Sequence, residues 1–172
     1  MVKNGVSFQC SHPQVPTSAF LTALQDPKRH AIAILLLERA SPDVSFVSAS
    51  GYTALHGSSA EMCKRFLDLG AVKVIDSVAN FGHTALYDAD TEKTKLLVDY
   101  GADSSIRTNE GQTPLLNAVW RRDYGVMKLL LERSTAEVDV TNNYGETPLT
   151  VAFAMGDEKS MAMLMTAGAL VD

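Results

Sequence analysis

Large apolar residues recur along the chain in short blocks, and each block is followed within a few positions by a small residue. The blocks lie at residues 66–67, 96–97, 129–131 and 163–164, and the small residues that follow them are Gly70, Gly101, Ser134 and Gly168. Such a block is typical of the buried face of a short helix, and glycine suits the left-handed residue that ends one. The pattern predicts a series of short helices at nearly regular intervals.

A five-residue motif stands before each of these blocks. It begins with glycine and continues with a variable residue, threonine, alanine or proline, and leucine; its four copies occupy residues 51–55, 82–86, 111–115 and 145–149. Glycine there suits a tight turn with positive φ, and the threonine hydroxyl is able to cap a helix. Pro114 and Pro148 then fall in the first helical turn, where a missing N–H costs nothing. Each unit therefore predicts a turn, a helix, a second helix and a loop.

These units resemble the ankyrin repeat, which has a period of about 33 residues and a signature containing T-P-L-H. The resemblance covers residues 48–172 directly, and residues 17–47 fit as a degenerate first unit because LLLERA at 35–40 echoes LLLERS at 129–134. It implies an all-α ankyrin-repeat solenoid of about five units, since each helix pair is too thin to bury its apolar face alone. The expected domain follows a flexible arm at 1–16, and its repeats lie near 17–47, 48–78, 79–107, 108–141 and 142–172.

The two middle units are shorter than the two that follow. The turn glycine and the residue that ends the second helix are 23 residues apart for Gly111 to Ser134 and Gly145 to Gly168, but 19 apart for Gly51 to Gly70 and Gly82 to Gly101. Four residues make about one helical turn, so the first helices near 54–58 and 85–89 are expected to be single turns that leave a notch. Ser58 with Glu61 predicts a capping box for the helix that follows, and Asp90 or Thr91 predicts the cap of the next.

The resemblance implies that partners contact the turn tips and the first helices of the concave face. The corresponding positions here are Ala49, Ser50, Tyr52, Gly57, Asn80, Phe81, His83, Asp88, Asn109, Glu110, Gln112, Asn117, Trp120, Arg121, Asn143, Tyr144, Glu146, Val151 and Met155. Aromatic residues and arginine concentrate at the energetic centres of interfaces. The predicted protein-binding residues are Tyr52, Phe81, His83, Asp88, Trp120, Arg121, Tyr144 and Met155. Two alternatives stay open: Phe81 and Trp120 pack between repeats, or Arg121 belongs to a solvated loop.

Charge and composition limit the classes of partner and the cellular location that are expected. The 172 residues carry a net charge of −5, which argues against nucleic acid or an anionic membrane as the partner. No run approaches the roughly 20 apolar residues of a membrane span, and two cysteines provide no disulfide framework, so a cytoplasmic or nuclear location is expected.

Neither a cofactor nor a metal is expected. The acidic stretch at 88–92 begins like a calcium loop, but Lys93 stands where that loop requires glycine. The four histidines lack metal-ligand spacing, and the resemblance implies that His56 ties its turn together by hydrogen bonds. Because no catalytic groups converge, the chain is not expected to be an enzyme.

The leading hypothesis is a protein-binding module that acts as an adaptor or inhibitor. One alternative is an inhibitor resembling the cyclin-dependent kinase inhibitors of this family, which also carry a shortened helix in one repeat. Another is a structural or self-associating component of a larger assembly. We expect a monomer, and any association would use the C-terminal repeat, where Met161, Met163, Met165, Leu170 and Val171 crowd together.

Overall fold

The computed structural model describes residues 43–134 and 136–170. The predicted arm at 1–16, most of the predicted first repeat at 17–47 and Val171 lie outside the described residues. The described residues from Val44 onward form one compact unit.

This unit is built from helices joined by turns. Its described residues form six α-helices and no strand, which confirms the all-α prediction. The helices are α1 (Ala60–Asp68), α2 (Thr91–Asp99), α3 (Pro114–Trp120), α4 (Tyr124–Arg133), α5 (Pro148–Ala154) and α6 (Glu158–Thr166). Two short 3-10 helices, Ala71–Val74 and Asn80–Gly82, lie between α1 and α2.

The helices pack in two layers. In one layer α1 contacts α2, α2 contacts α4, and α4 contacts α6; in the other α3 contacts α5. The interior is apolar, and the fully buried side chains include Phe66, Leu97, Leu115, Leu130 and Leu164. Burial of each such side chain contributes about 1.5–3 kcal/mol. The core is therefore shared between successive units, as expected of a stack of thin helix pairs.

Side-chain caps fix where the helices begin. Thr113 and Thr147 cap α3 and α5, each followed by proline, as the motif predicts. The cap of α2 is Asp90, whose carboxylate accepts from the Lys93 N–H. The prediction for α1 was wrong by one residue: Ser59 is the cap, and the neighbouring Ser58 hydroxyl donates to the Leu55 carbonyl.

The first helices of the two middle units are single turns, as their spacing predicts. The His56 N–H donates to the Thr53 carbonyl at 3.2 Å, and the Tyr87 N–H donates to the Thr84 carbonyl at the same distance. Each of these hydrogen bonds joins residues three positions apart, and neither turn continues into an α-helix. Four residues fewer therefore remove one turn from each first helix.

Lys93 compensates for the turn that is missing after His56. Its Nζ donates to the His56 carbonyl at 3.2 Å. In a longer first helix, a backbone N–H would donate to that carbonyl instead. The lysine is only 6% exposed, and burial lowers its pKa, with opposing contributions from Cys63, Asp90 and Asp88. A buried cation thus closes the end of a truncated helix.

Candidate functional site

Four turns of the same geometry project from the helical layers, at residues 48–52, 79–83, 108–112 and 142–146. In each, the first N–H donates to the fifth carbonyl, and the glycine N–H donates back to the first carbonyl. The glycines have φ between 77° and 85°, which confirms the left-handed conformation predicted for this position. We call these four turns the tips.

Backbone hydrogen bonds join each tip to the next. Asn80 donates its N–H to the Ser50 carbonyl at 3.1 Å, Asn109 to that of Phe81 at 2.9 Å, and Asn143 to that of Glu110 at 2.9 Å. One donor and one acceptor per repeat thus hold the four tips in a row. The side chains of the tips therefore project from an ordered backbone.

Large aromatic side chains on the tips and first helices are exposed. Phe81 is 74% exposed, Tyr144 is 69% exposed, and Trp120 at the end of α3 is 45% exposed. The structure does not bury Phe81 or Trp120 between repeats. Tyr52 is half-buried and lies edge-on to the His56 ring, with centroids 5.4 Å apart.

Helix α5 differs from the prediction at two positions, Val151 and Phe153. Val151 is buried and not available to a partner. Its counterpart one unit earlier is Asn117, whose Nδ2 donates to the Tyr87 carbonyl, so this position is directed at the preceding repeat. Phe153 is 73% exposed, and sequence reasoning missed it. We call Phe81, Trp120, Tyr144 and Phe153 the aromatic surface.

Arg121 and Met155 occupy equivalent positions, as the C-caps of α3 and α5. Arg121 is exposed, and its guanidinium lies 3.9 Å from the Asp123 carboxylate, which is a weak contact at the surface. Met155 is half-buried, and its carbonyl accepts from the Arg122 guanidinium at 2.8 Å.

The tip at 79–83 carries further groups that lie together. The Phe81 backbone has φ of 65°, which is unusual for a residue other than glycine. The His83 ring lies 6.4 Å from the Phe81 ring and 4.4 Å from the Tyr87 ring, measured between centroids. His83 Nδ1 lies 3.2 Å from the exposed Asp88 carboxylate. The structure thus brings His83 and Asp88 together and adds Tyr87, which the sequence did not indicate.

His56 has the structural role that the resemblance implies. Its Nδ1 accepts from the Thr53 N–H at 3.2 Å, so Nε2 carries the proton and donates to the His83 carbonyl at 3.2 Å. Burial is the largest influence on the His56 pKa and lowers it, despite the hydrogen bond to His83. The neutral ring therefore connects two successive units.

The lowered pKa of His56 predicts a loss of stability in acid. The unfolded chain takes up the proton near the ordinary pKa of 6.5, and the folded chain does so only at lower pH. Stability is thus expected to fall as pH drops below about 6.5. The free energy of unfolding, measured with urea at pH 7.5 and 5.5, should fall less over this interval for a His56→Asn variant than for the wild type. Equal losses would contradict this role of His56.

The described residues contain no group of three or more His, Cys, Asp or Glu that could hold a metal ion. Cys63 is buried, and that burial raises its pKa. Within 43–134 and 136–170, no helix has the length and hydropathy needed to cross a membrane.

A sequence model of ankyrin repeats matches residues 83–172, in three copies. No curated protein matches the chain in sequence. The family match spans more than half of the chain and contains three of the four residues of the aromatic surface. The chain therefore belongs to the ankyrin-repeat family.

Proposed function

We propose that this chain binds another protein through its tips and first helices, and acts as an adaptor or an inhibitor. Ankyrin repeats are generally protein-binding modules. The observation that supports the proposal best is the aromatic surface: four large rings, 45% to 74% exposed, on the tips and first helices. Aromatic residues buried at an interface contribute strongly to affinity.

The tip backbone favours binding further because it is already ordered. The hydrogen bonds between tips fix Phe81 and Tyr144 relative to one another before any partner arrives. Ordering a flexible loop on association costs free energy that a fixed loop does not lose. The tips therefore offer their side chains at little entropic cost.

The charge around the aromatic surface favours a protein over nucleic acid. The carboxylates of Asp88 and Glu110 are exposed on or beside the tips at 79–83 and 108–112. These groups repel phosphates, and the chain as a whole has a net charge of −5.

Self-association through the C-terminal repeat is the second candidate. Met165 and Leu170 are exposed there, at 52% and 69%. Sedimentation at several concentrations distinguishes the two candidates. A monomer at all concentrations supports binding to a different protein, whereas a dimer that Leu170→Ser dissociates supports self-association.

The proposal is tested by affinity capture from a lysate of the source cell, followed by affinity measurement with the captured protein. Phe81→Ala, Trp120→Ala and Tyr144→Ala are each expected to weaken binding about tenfold or more, as truncation of a central interface aromatic does. Leu69→Ala is the matched control, because Leu69 is 59% exposed but is the C-cap of the second helix α1 and belongs to neither a tip nor a first helix.

Each variant is first shown to be folded by circular dichroism and thermal unfolding. Loss of binding in the three aromatic variants, with Leu69→Ala unchanged, supports the proposal. Wild-type affinity in all three aromatic variants would contradict it.

A further inference from the structure

The tip at 79–83 combines aromatic rings with acidic groups. Three rings lie in a row from the exposed Phe81 through His83 to Tyr87, with centroid separations of 6.4 Å and 4.4 Å. Phe81 is the most exposed large apolar side chain described, so the outer end of the row is open to solvent. A flat group that approaches this tip therefore meets the edges and faces of aromatic rings.

Two carboxylates are connected to that row, Asp88 through His83 and Glu110 through Gln112. The Asp88 carboxylate is 65% exposed and accepts from Asn117 Nδ2 at 3.4 Å. Gln112 accepts from the Tyr87 hydroxyl at 2.7 Å and donates from Nε2 to the Glu110 carboxylate at 3.3 Å. Burial raises the pKa of Tyr87, and the negative charges of Asp88 and Glu110 raise it further. Both carboxylates thus act on the same ring.

Within the described chain, neither carboxylate has an arginine or lysine as its partner. The Asp88 carboxylate lies 3.2 Å from His83 Nδ1, and Glu110 forms no ion pair with a described residue. The nearby cations are engaged elsewhere: Lys93 is buried against the His56 carbonyl, and Arg107 donates to the carbonyls of Gly111 and Thr141. The tip therefore presents negative charge that the fold leaves without a strong cationic partner.

We propose that the cluster of Phe81, His83, Tyr87, Asp88 and Glu110 receives an arginine side chain of the bound protein. The inference rests on the proposed function, since it names the chemistry that a partner presents at one tip. A guanidinium stacks on aromatic faces and donates in its plane to carboxylates, so it matches both parts of the cluster.

Other ligand chemistries fit the cluster less well. An apolar side chain would desolvate Asp88 and Glu110 without pairing them, which is costly. A phosphate would be repelled by both. A lysine ammonium would pair with the carboxylates but lacks the flat surface that stacks on the rings.

The test is a titration of the ¹⁵N-labelled full chain with N-acetyl-arginine amide, followed by NMR. The control probe is N-acetyl-citrulline amide, which has nearly the same shape and no charge. The arginine probe is expected to shift the signals of His83, Tyr87 and the Gln112 side-chain amide, and the citrulline probe to bind more weakly.

Charge variants locate the effect. Asp88→Asn and Glu110→Gln should each weaken the arginine probe about two- to fivefold, as expected of an exposed ion pair. Glu92→Gln is the matched control, because Glu92 is exposed in the first turn of α2 and outside the cluster. Equal shifts from the two probes, shifts confined to other tips, or equal weakening by Glu92→Gln would overturn the proposal.

The captured protein separates this inference from the proposed function. An Asp88→Asn, Glu110→Gln double variant keeps every ring of the aromatic surface. If it binds the captured protein as tightly as the wild type does while Phe81→Ala does not, the proposed function stands and the arginine site is wrong. If Phe81→Ala also binds as tightly, together with Trp120→Ala and Tyr144→Ala, the proposed function itself fails.

Discussion

Alanine in place of Gly51 is expected to destabilise the fold by about 3–4 kcal/mol, from the combined cost of a left-handed residue and overpacking. Gly51 has φ of 78°, and a Cβ built there would lie 2.0 Å from the Val78 carbonyl oxygen and 2.8 Å from the Ala79 Cα. Both are backbone atoms of the segment that leads into the next tip. They are unable to withdraw without stretching the hydrogen bond from the Asn80 N–H to the Ser50 carbonyl.

Gly145→Ala is the matched control for this prediction. Gly145 has nearly the same φ, 79°, but apart from its two chain neighbours no described residue has an atom within 4 Å of the position that a Cβ would take there. Its replacement should cost only the left-handed conformation, about 1–2 kcal/mol. Urea unfolding of the two variants measures the difference. Equal destabilisation would contradict close contact between successive tips.

Lys93→Ala is expected to destabilise the fold by about 3 kcal/mol, because it leaves both a cavity and a carbonyl without a donor. The four-carbon stem is buried, and the Nζ is the group that bonds the His56 carbonyl. Lys93→Met keeps most of the buried stem. It loses the hydrogen bond to the His56 carbonyl, but it also removes the free-energy cost of burying a charge. Methionine should therefore remain within about 1 kcal/mol of the wild type. Unfolding free energies of the two variants test this, and equal losses would contradict the account of Lys93.

The pH dependence of Lys93 has a definite sign. Burial lowers its pKa below the ordinary 10.5, so the folded chain releases this proton at lower pH than the unfolded chain does. The penalty for burying the charge is complete below the folded pKa and disappears as pH rises toward 10.5. The wild type should therefore gain stability relative to Lys93→Met as pH rises toward 10.5. A constant difference would show that Lys93 is solvated.

The sequence predicted the features that a single unit determines. The turn glycines, the Thr113 and Thr147 caps and the bond from the Thr53 N–H to His56 each depend on residues within one unit, and the structure confirms them. The shortened first helices followed from a spacing difference of four residues, because an α-helix has a fixed rise and period.

The features that the sequence did not predict depend on contacts between units. Val151 is buried in α5, whereas Phe153 is exposed although its counterpart in α3, Val119, is fully buried. Val151 aligns with Asn117, but this alignment indicates that Val151 is buried only once the contact from Asn117 to Tyr87 is known. Tyr87 and Gln112 bond across two repeats, 25 residues apart, which no local pattern indicates. The burial of a lysine against the end of a truncated helix likewise depends on two units at once.

Binding of a partner protein at the tips and first helices is tested by hydrogen–deuterium exchange of the chain, with and without the captured protein. We expect protection in the segments around 80–83, 109–112, 117–121 and 143–146, with little change in the second helices α1, α2, α4 and α6 beyond their termini. Protection confined to those four helices, with unchanged exchange at the tips, would contradict it.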